Sequence, residues 1–179
     1  VQQGAKSVVT VGGIQSNHCR ATAVAARELG LDSLLCLRSA KPQEHMKDLE
    51  GNLLIDQMVG AKIEFFTPAQ RDALGGDPKG YEAIMTQASE RHFKGQKTYV
   101  IPMGGSNGVG AWGYVECAAE IIKQFENMKK PLPDDVVVAS GSGGTVAGLA
   151  LGLHLAVPSV KVHGVCVCDD AEYFHRECD

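Results

Sequence analysis

The chain has 179 residues, of which 44% are hydrophobic and 21% are charged, and it carries a formal net charge of −4. This composition is typical of a folded globular protein and excludes a disordered or fibrous chain. Because the charge balance provides no basic face for a phosphate backbone, we expect no nucleic acid partner.

Short β-branched runs alternate along the chain with helical patterns, which is typical of strand-helix units around a parallel sheet. The predicted strands are residues 6–12, 32–38, 61–66, 98–102, 134–139 and 160–167. The predicted helices are residues 17–29, 49–59, 81–93, 113–125 and 145–156, and residues 68–80 are predicted to form a surface loop. We therefore expect an α/β fold of parallel sheets with flanking helices, in one domain or in two small lobes with a boundary near residues 94–98.

Cysteine and apolar patterns argue against other classes of protein. The most apolar stretch, residues 136–157, is interrupted by glycines, hydroxyl residues and His154, unlike a membrane span. The six cysteines form no CxxC pair, which favours reduced thiols over disulfides or a zinc site. Cys166 and Cys168 share a face of a predicted strand and are expected to be buried. We predict no metal site, and a cytoplasmic protein, or a mitochondrial one if a targeting segment has been lost.

One candidate site is the turn Ser140–Thr145, which reads SGSGGT between a predicted strand and a predicted helix. The first N–H groups of a helix are unpaired and carry partial positive charge, and glycines let them approach an anion closely. The turn lacks the Gly-Lys-Ser/Thr of a P-loop, and Val146 stands where a dinucleotide fingerprint would have glycine. The pattern predicts a site for a phosphate group or, alternatively, only a tight strand-to-helix turn.

A second candidate is the stretch GGIQSNH at residues 12–18, which follows the first predicted strand. An N-cap role for Ser16 or Asn17 explains one of its polar side chains but not all of them. Asn17 could donate its amide to a phenolate oxygen, Ser16 could relay a proton, and His18 could contact a carboxylate or exchange a proton near neutral pH. Gln15 and the third glycine-rich turn, residues 104–108 with Ser106 and Asn107, complete the candidates, because ligands of parallel α/β sheets bind at the carboxyl ends of strands.

Four segments carry a resemblance to a known family: VVTVGGIQSNHCRATAVAARELGL, GNLLIDQMVGAKI, TYVIPMGGSNGVGAWGYVE and VVVASGSGGTVAGLALGL. In this order they resemble the D-cysteine desulfhydrase and 1-aminocyclopropane-1-carboxylate deaminase family, within the tryptophan synthase β-like, fold type II class of pyridoxal 5′-phosphate enzymes. The resemblance implies a two-lobed α/β fold, with a small α/β lobe at residues 1–97 and part of the large, cofactor-binding lobe at residues 98–179. It assigns the ring hydroxyl of the cofactor to Asn17 and its phosphate to Gly141, Ser142, Gly143, Gly144 and Thr145.

The resemblance also favours one of two activities. Deaminases of this family usually have glutamine after Ser-Asn, whereas D-cysteine desulfhydrases have histidine, as at His18. The implied reaction is an α,β-elimination of D-cysteine to pyruvate, ammonia and hydrogen sulfide. Ser16 and His18 are the implied catalytic residues, and Gln15, Ser16 and His18 are the implied substrate-binding residues. The alternative is a 1-aminocyclopropane-1-carboxylate deaminase.

Some residues that the resemblance implies are not in this chain. The Schiff-base lysine of the family lies upstream of the first strand, and contacts to the pyridine nitrogen lie beyond Asp179, so we expect a chain truncated at both ends. The expected partner is a small amino-acid substrate, with no membrane partner, and the full-length form is expected to be a homodimer. An alternative of another class is a non-catalytic fragment that retains a phosphate-binding turn.

Overall fold

The computed structural model describes residues 3–41, 47, 49–168, 170–172 and 174, and the chain divides into two units. The first unit ends at Gly104 and the second begins at Gly105. The first contains, in chain order, β1 (Ser7–Gly13), α1 (Asn17–Glu28), β2 (Asp32–Arg38), α2 (Gly51–Met58), β3 (Lys62–Phe66), α3 (Pro68–Ala73), α4 (Lys79–His92) and β4 (Thr98–Val100).

The four strands of the first unit form one parallel sheet in the order β3-β2-β1-β4. Helices cover both of its faces, so alternate residues of β2 enter different cores. Leu34 and Cys36 belong to the core that contains Met85 of α4, whereas Leu35 and Leu37 pack with Leu53 of α2. The predicted α/β fold with a parallel sheet and flanking helices is confirmed.

The prediction of a loop over residues 68–80 is wrong at its start, because residues 68–73 form α3. A capping box begins this helix: the Thr67 hydroxyl accepts the N–H of Gln70 at 3.2 Å, and the Gln70 side chain accepts the N–H of Thr67 at 2.8 Å. Pro68 occupies the first helical turn, where its missing N–H costs nothing. The sequence Thr-Pro-Ala-Gln carries this signal.

The second unit contains α5 (Gly108–Asn127), β5 (Asp135–Ser140), α6 (Gly144–Ala156) and β6 (Lys161–Cys166). The strands β5 and β6 pair in parallel, in register from Asp135 opposite Lys161 to Ser140 opposite Cys166. One face of this two-stranded sheet packs through Val138 against Leu149 and Leu153 of α6. Val137 and Val165 are respectively 68% and 53% exposed.

Cys166 and Cys168 are exposed, so the prediction that they are buried is wrong. They lie at the carboxyl end of β6 and just beyond it, past the residues that pack against α6. Cys19 and Cys36 are buried, and Cys178 lies outside the described residues. In the described part of the chain no helix is long and apolar enough to cross a membrane, and no group of three or more His, Cys, Asp or Glu residues could hold a metal ion.

The boundary between the two units lies after Gly104, seven residues beyond the boundary that the sequence predicts. The predicted boundary lay between residues 97 and 98, but β4 pairs with β1, from Ser7 opposite Thr98 to Val9 opposite Val100. This pairing holds residues 98–100 in the first unit. The assignment of the units to a small lobe and a cofactor-binding lobe stays a prediction.

Candidate functional site

The predicted site residues lie in two turns, each at the carboxyl end of a strand and at the start of a helix. The Gln-Ser-Asn-His turn, residues 15–18, connects β1 to α1 in the first unit. The glycine-rich turn, residues 140–145, connects β5 to α6 in the second. Both turns occupy the end of a parallel strand at which ligands bind in α/β folds.

Ser16 is the N-cap of α1, and its hydroxyl accepts the backbone N–H of Cys19 at 3.1 Å. A Cβ atom on Gly12 would lie 2.7 Å from Cys19 Sγ and 2.9 Å from Ser16 Oγ, so only glycine lets β1 end this close to the cap. A hydroxyl that accepts a hydrogen bond still has its own proton to donate. Ser16 therefore combines a capping role with a hydroxyl proton that it can donate, and the Cys19 thiol is one acceptor within its reach.

The Asn17 side chain is oriented by Asn52, the second residue of α2. Asn52 Nδ2 donates to Asn17 Oδ1 at 2.9 Å and to the backbone oxygen of Gln15, also at 2.9 Å. Because Oδ1 of Asn17 serves as the acceptor, its Nδ2 is the atom left to donate. A ligand oxygen that accepts a hydrogen bond, such as a phenolate, could bind Asn17 only through this Nδ2 donor.

Gln15 is held against the amino end of α2. Its Oε1 accepts the N–H of Asn52 at 2.8 Å and its Nε2 donates to the backbone oxygen of Glu50 at 3.2 Å. Gly51 has a φ of 55°, and a Cβ atom there would overlap Gln15 Oε1. Each polar atom of the Gln15 amide thus uses one of its two hydrogen-bonding positions. The substrate-binding role of Gln15, which depends on the second position, stays a prediction.

His18 lies in the first turn of α1 with its ring half-buried. Its Nε2 is 2.7 Å from the hydroxyl oxygen of Thr10, and Thr10 donates to the backbone oxygen of Ile101 at 3.0 Å. Burial lowers the pKa of the His18 imidazole below its usual value of 6.5. The ring is therefore neutral near pH 7.

The glycine-rich turn leaves helix donors available. Gly143, at a φ of 84°, is the N-cap of α6 and provides no side-chain cap, and the first turn of this helix contains no acidic side chain. The Ser140 hydroxyl is buried and makes no hydrogen bond within the described residues. The N–H groups of Thr145 and Val146 in the first helical turn, the buried Ser140 hydroxyl and the adjacent glycines fit a phosphate group. The structure therefore supports the phosphate-site prediction for Gly141–Thr145 without testing it.

Ser106 connects the third glycine-rich turn to this one. Its hydroxyl donates to Ser142 Oγ at 2.7 Å and accepts the N–H of Gly144 at 3.2 Å. A Cβ atom on Gly144 would lie 2.7 Å from Ser106 Oγ, so the contact requires glycine. Ser106 thus holds both a side chain and a backbone group of the predicted phosphate site.

Two residues that orient the site, Thr10 and Asn52, are absent from the predicted set, whereas Ser106 is among its candidates. Ser106 is recognisable as part of a glycine-rich turn in the sequence, but its partners are not. Asn52 is 35 residues from Asn17 and Thr10 is 91 residues from Ile101. No local pattern pairs residues that far apart, because strand order and helix packing bring them together.

Comparison with protein families matches residues 1–178 to the model described as pyridoxal-phosphate dependent enzyme. The bifunctional D-cysteine desulfhydrase/1-aminocyclopropane-1-carboxylate deaminase, mitochondrial, of Arabidopsis thaliana is 46% identical over 98% of this chain and 43% of its own length. The D-cysteine desulfhydrase of Serratia proteamaculans is 40% identical over 93% of this chain and 48% of its own length. The chain spans about half the length of the curated relatives it matches.

Solved structures show the same fold. A crystal structure described as an ACC deaminase homologue matches 99% of this chain and 50% of its own, with a TM-score of 0.77 and 36% identity. A crystal structure of a threonine deaminase matches 90% of this chain and 44% of its own, with a TM-score of 0.65 and 21% identity, a likeness of fold alone. The fold class of the chain is therefore that of the fold type II pyridoxal-phosphate enzymes.

Proposed function

Because the chain belongs to the family of pyridoxal-phosphate-dependent enzymes, we propose that the protein containing it is a D-cysteine desulfhydrase. Such a lyase converts D-cysteine to pyruvate, ammonia and hydrogen sulfide. The observation that carries the proposal is the similarity, over nearly the whole chain, to two relatives whose names include this activity. His18, the residue that the resemblance associates with desulfhydrases, supports it further.

Pyridoxal 5′-phosphate is the cofactor of this family, and the residues of the glycine-rich turn fit its phosphate. We propose that Gly141, Ser142, Gly143, Gly144 and Thr145 hold that group through backbone N–H groups and hydroxyls, without a lysine or arginine. Asn17, whose Nδ2 is left to donate, holds the ring hydroxyl oxygen. When bound, the cofactor supplies an electron sink that stabilises negative charge at the α-carbon of the substrate.

The remaining residues of the Gln-Ser-Asn-His turn act on the substrate. Ser16 can donate its hydroxyl proton to the substrate in place of the Cys19 thiol, and it is fixed at the helix start by the bond that it accepts from the Cys19 N–H. His18 is neutral near pH 7, so it can accept a proton without first losing one. Gln15 positions the turn against α2 and uses its second hydrogen-bonding positions for the substrate. These roles rest on geometry within the turn and on the resemblance.

A second candidate is the 1-aminocyclopropane-1-carboxylate deaminase. The name of the Arabidopsis relative includes both activities, and the matched crystal structure is described as a homologue of the deaminase. The two candidates share the cofactor and the α-carbon chemistry, so the substrate decides between them.

The test is to assay the full-length protein that contains this chain, with pyridoxal phosphate absorbance recorded. We expect sulfide and pyruvate from D-cysteine, and a loss of roughly a hundredfold or more in kcat for Ser16→Ala, because a group that moves or donates a proton contributes about 10²–10⁴-fold. Ser159→Ala, at an exposed serine in the turn after α6, is the matched control and should retain activity. Ammonia from 1-aminocyclopropane-1-carboxylate without sulfide from D-cysteine would move the assignment to the deaminase. Binding of the cofactor with neither product would favour the non-catalytic alternative.

We also propose that the full-length protein is a homodimer in a reducing compartment. The dimer rests on the resemblance alone, and light scattering of the full-length protein tests it. The cysteines without CxxC pairs favour the cytoplasm, and the mitochondrion is the alternative because the Arabidopsis relative is named as mitochondrial. Cell fractionation separates these two locations.

A further inference from the structure

A chain of hydrogen bonds lies beneath the Gln-Ser-Asn-His turn. Thr10, in β1, is fully buried, and its hydroxyl oxygen contacts both His18 Nε2 at 2.7 Å and the backbone oxygen of Ile101 at 3.0 Å. Ile101 follows β4, and its own N–H donates to the backbone oxygen of Val9 at 2.9 Å. The position of the Ile101 carbonyl is therefore set by the sheet.

The protons in this chain can be assigned by counting. A threonine hydroxyl has one proton, and a carbonyl oxygen can only accept, so the Thr10 proton belongs to the bond with Ile101. The Thr10 oxygen must then accept from His18, which places a proton on His18 Nε2. In the other tautomer, one hydroxyl proton would serve two acceptors, and one buried acceptor would lack a partner, which folded proteins avoid.

We infer that Thr10 is a positioning residue that fixes His18 as the Nε2–H tautomer and leaves Nδ1 as an unprotonated nitrogen for a hydrogen-bond donor of the bound ligand. The inference rests on the proposed function and deepens it. Within the described residues, Nδ1 of His18 makes no hydrogen bond. The partner that suits it is a donor, such as the amine or thiol of an amino acid, and not a carboxylate.

This assignment separates the roles of two neighbours. Ser16 can donate its hydroxyl proton, whereas His18 is an acceptor through Nδ1. Burial, which keeps the imidazole neutral, agrees with the acceptor role, since a protonated ring would donate from both nitrogens. Substrate carboxylate recognition then belongs to Ser16 or to backbone N–H groups.

The test is nitrogen-15 NMR of the histidine rings in the full-length protein that contains this chain, because hydrogen positions follow from the network and are best measured directly. The His18→Gln variant identifies the signals of His18. We expect Nε2 to be protonated and Nδ1 unprotonated in the wild type and in Thr10→Ser, which keeps the hydroxyl. Thr10→Val, of the same shape without the hydroxyl, should lose the single tautomer and lower kcat/KM for D-cysteine on the order of tenfold, and Thr10→Ser should restore it.

A wild-type ring with a protonated Nδ1, or a Thr10→Val spectrum identical to that of the wild type, would overturn the inference. If Thr10→Val does not fold, the spectra of the wild type and of Thr10→Ser decide. The expected tautomer in a protein without sulfide release would refute only the proposed function. Sulfide release by a protein with a protonated Nδ1 would refute only the tautomer assignment.

Discussion

Asn52 and Ser106 orient the side chains that the resemblance assigns to the cofactor. Asn52 occupies Oδ1 of Asn17 and so leaves its Nδ2 to donate, and Ser106 holds Ser142 and the N–H of Gly144. Both contacts are made by neutral groups, so they set geometry without adding charge to the site. At the scale of the residue, the two turns depend on side chains outside them.

The substitution His18→Gln places in the turn the residue that is usual in the deaminases of this family. We expect kcat/KM for D-cysteine to fall about tenfold or more, because glutamine cannot take up a proton as a neutral imidazole does. The ratio of 1-aminocyclopropane-1-carboxylate to D-cysteine turnover should rise. Steady-state assays with both substrates measure this ratio. An unchanged ratio would show that His18 does not select between the two substrates.

The substitution Ser106→Ala removes two hydrogen bonds from the glycine-rich turn. We expect the affinity for pyridoxal phosphate to weaken about five- to 150-fold, since each of the two neutral hydrogen bonds contributes about 0.5–1.5 kcal/mol. Pyridoxal, which lacks the phosphate, serves as the comparison ligand and should lose little affinity. Equal losses for both ligands would indicate that Ser106 does not act through the phosphate site.

At the scale of the element, helix starts are set by single capping residues. The structure begins α5 at Gly108, five residues before the predicted start, because the Asn107 side chain accepts the N–H of Gly110 at 2.8 Å. The glycines at 108, 110 and 113 weaken the helical pattern in the sequence. The Asn107 cap, together with the packing of α5 against α6, therefore outweighs the low helix propensity of these glycines.

The packing of α5 on α6 depends on glycines that bring the two backbones together. A Cβ atom on Gly148 would lie 2.5 Å from Tyr114 Cβ and 2.8 Å from the backbone oxygen of Ala111. We expect Gly148→Ala to lower the free energy of unfolding by about 1–3 kcal/mol, because the overlap exceeds the gain in helix propensity.

The matched control for this prediction is Gly113→Ala, also within a helix. A Cβ atom at Gly113 meets no atom within 4 Å, so alanine should raise the free energy of unfolding by about 0.5–1 kcal/mol. Urea unfolding of both variants measures the difference. Stabilisation by both substitutions would contradict the close helix contact.

At the scale of the whole molecule, Asp56 makes stability depend on pH. Both of its carboxylate oxygens are buried and make no hydrogen bond in the part of the chain that is described. Burial raises the pKa of Asp56 from 3.8 to about 6, and the Arg20 guanidinium partly offsets this rise. The native state therefore binds this proton more tightly than the unfolded state does.

The sign of the effect follows from proton binding. The stability that protonated Asp56 contributes is fully present below about pH 4 and is lost as the pH rises through about 6. We expect Asp56→Asn to match the wild type near pH 4 and to exceed its free energy of unfolding by about 3 kcal/mol at pH 8. Urea unfolding across this range is the measurement. The control Glu28→Gln changes an exposed carboxylate, and its free energy of unfolding should stay within about 0.5 kcal/mol of the wild-type value at both pH values. If the difference between Asp56→Asn and the wild type did not depend on pH, the prediction would be contradicted.

The sequence by itself determined the α/β class, the order of the strands and of every helix except α3, and the two polar turns at the ends of β1 and β5. These features depend on local periodicity, glycine and capping residues, which act over a few positions. It also carried the resemblance to the pyridoxal-phosphate enzymes, since GGIQSNH and SGSGGT are short and continuous.

Only the tertiary structure decided which residues orient those turns. Thr10 meets Ile101 because β1 and β4 are neighbours in the sheet, and Asn52 meets Asn17 because α2 begins beside the start of α1. The tautomer of His18 follows from the first contact and the free donor of Asn17 from the second. Strand order and helix packing create such contacts between residues far apart in the chain, so no local pattern of the sequence encodes them.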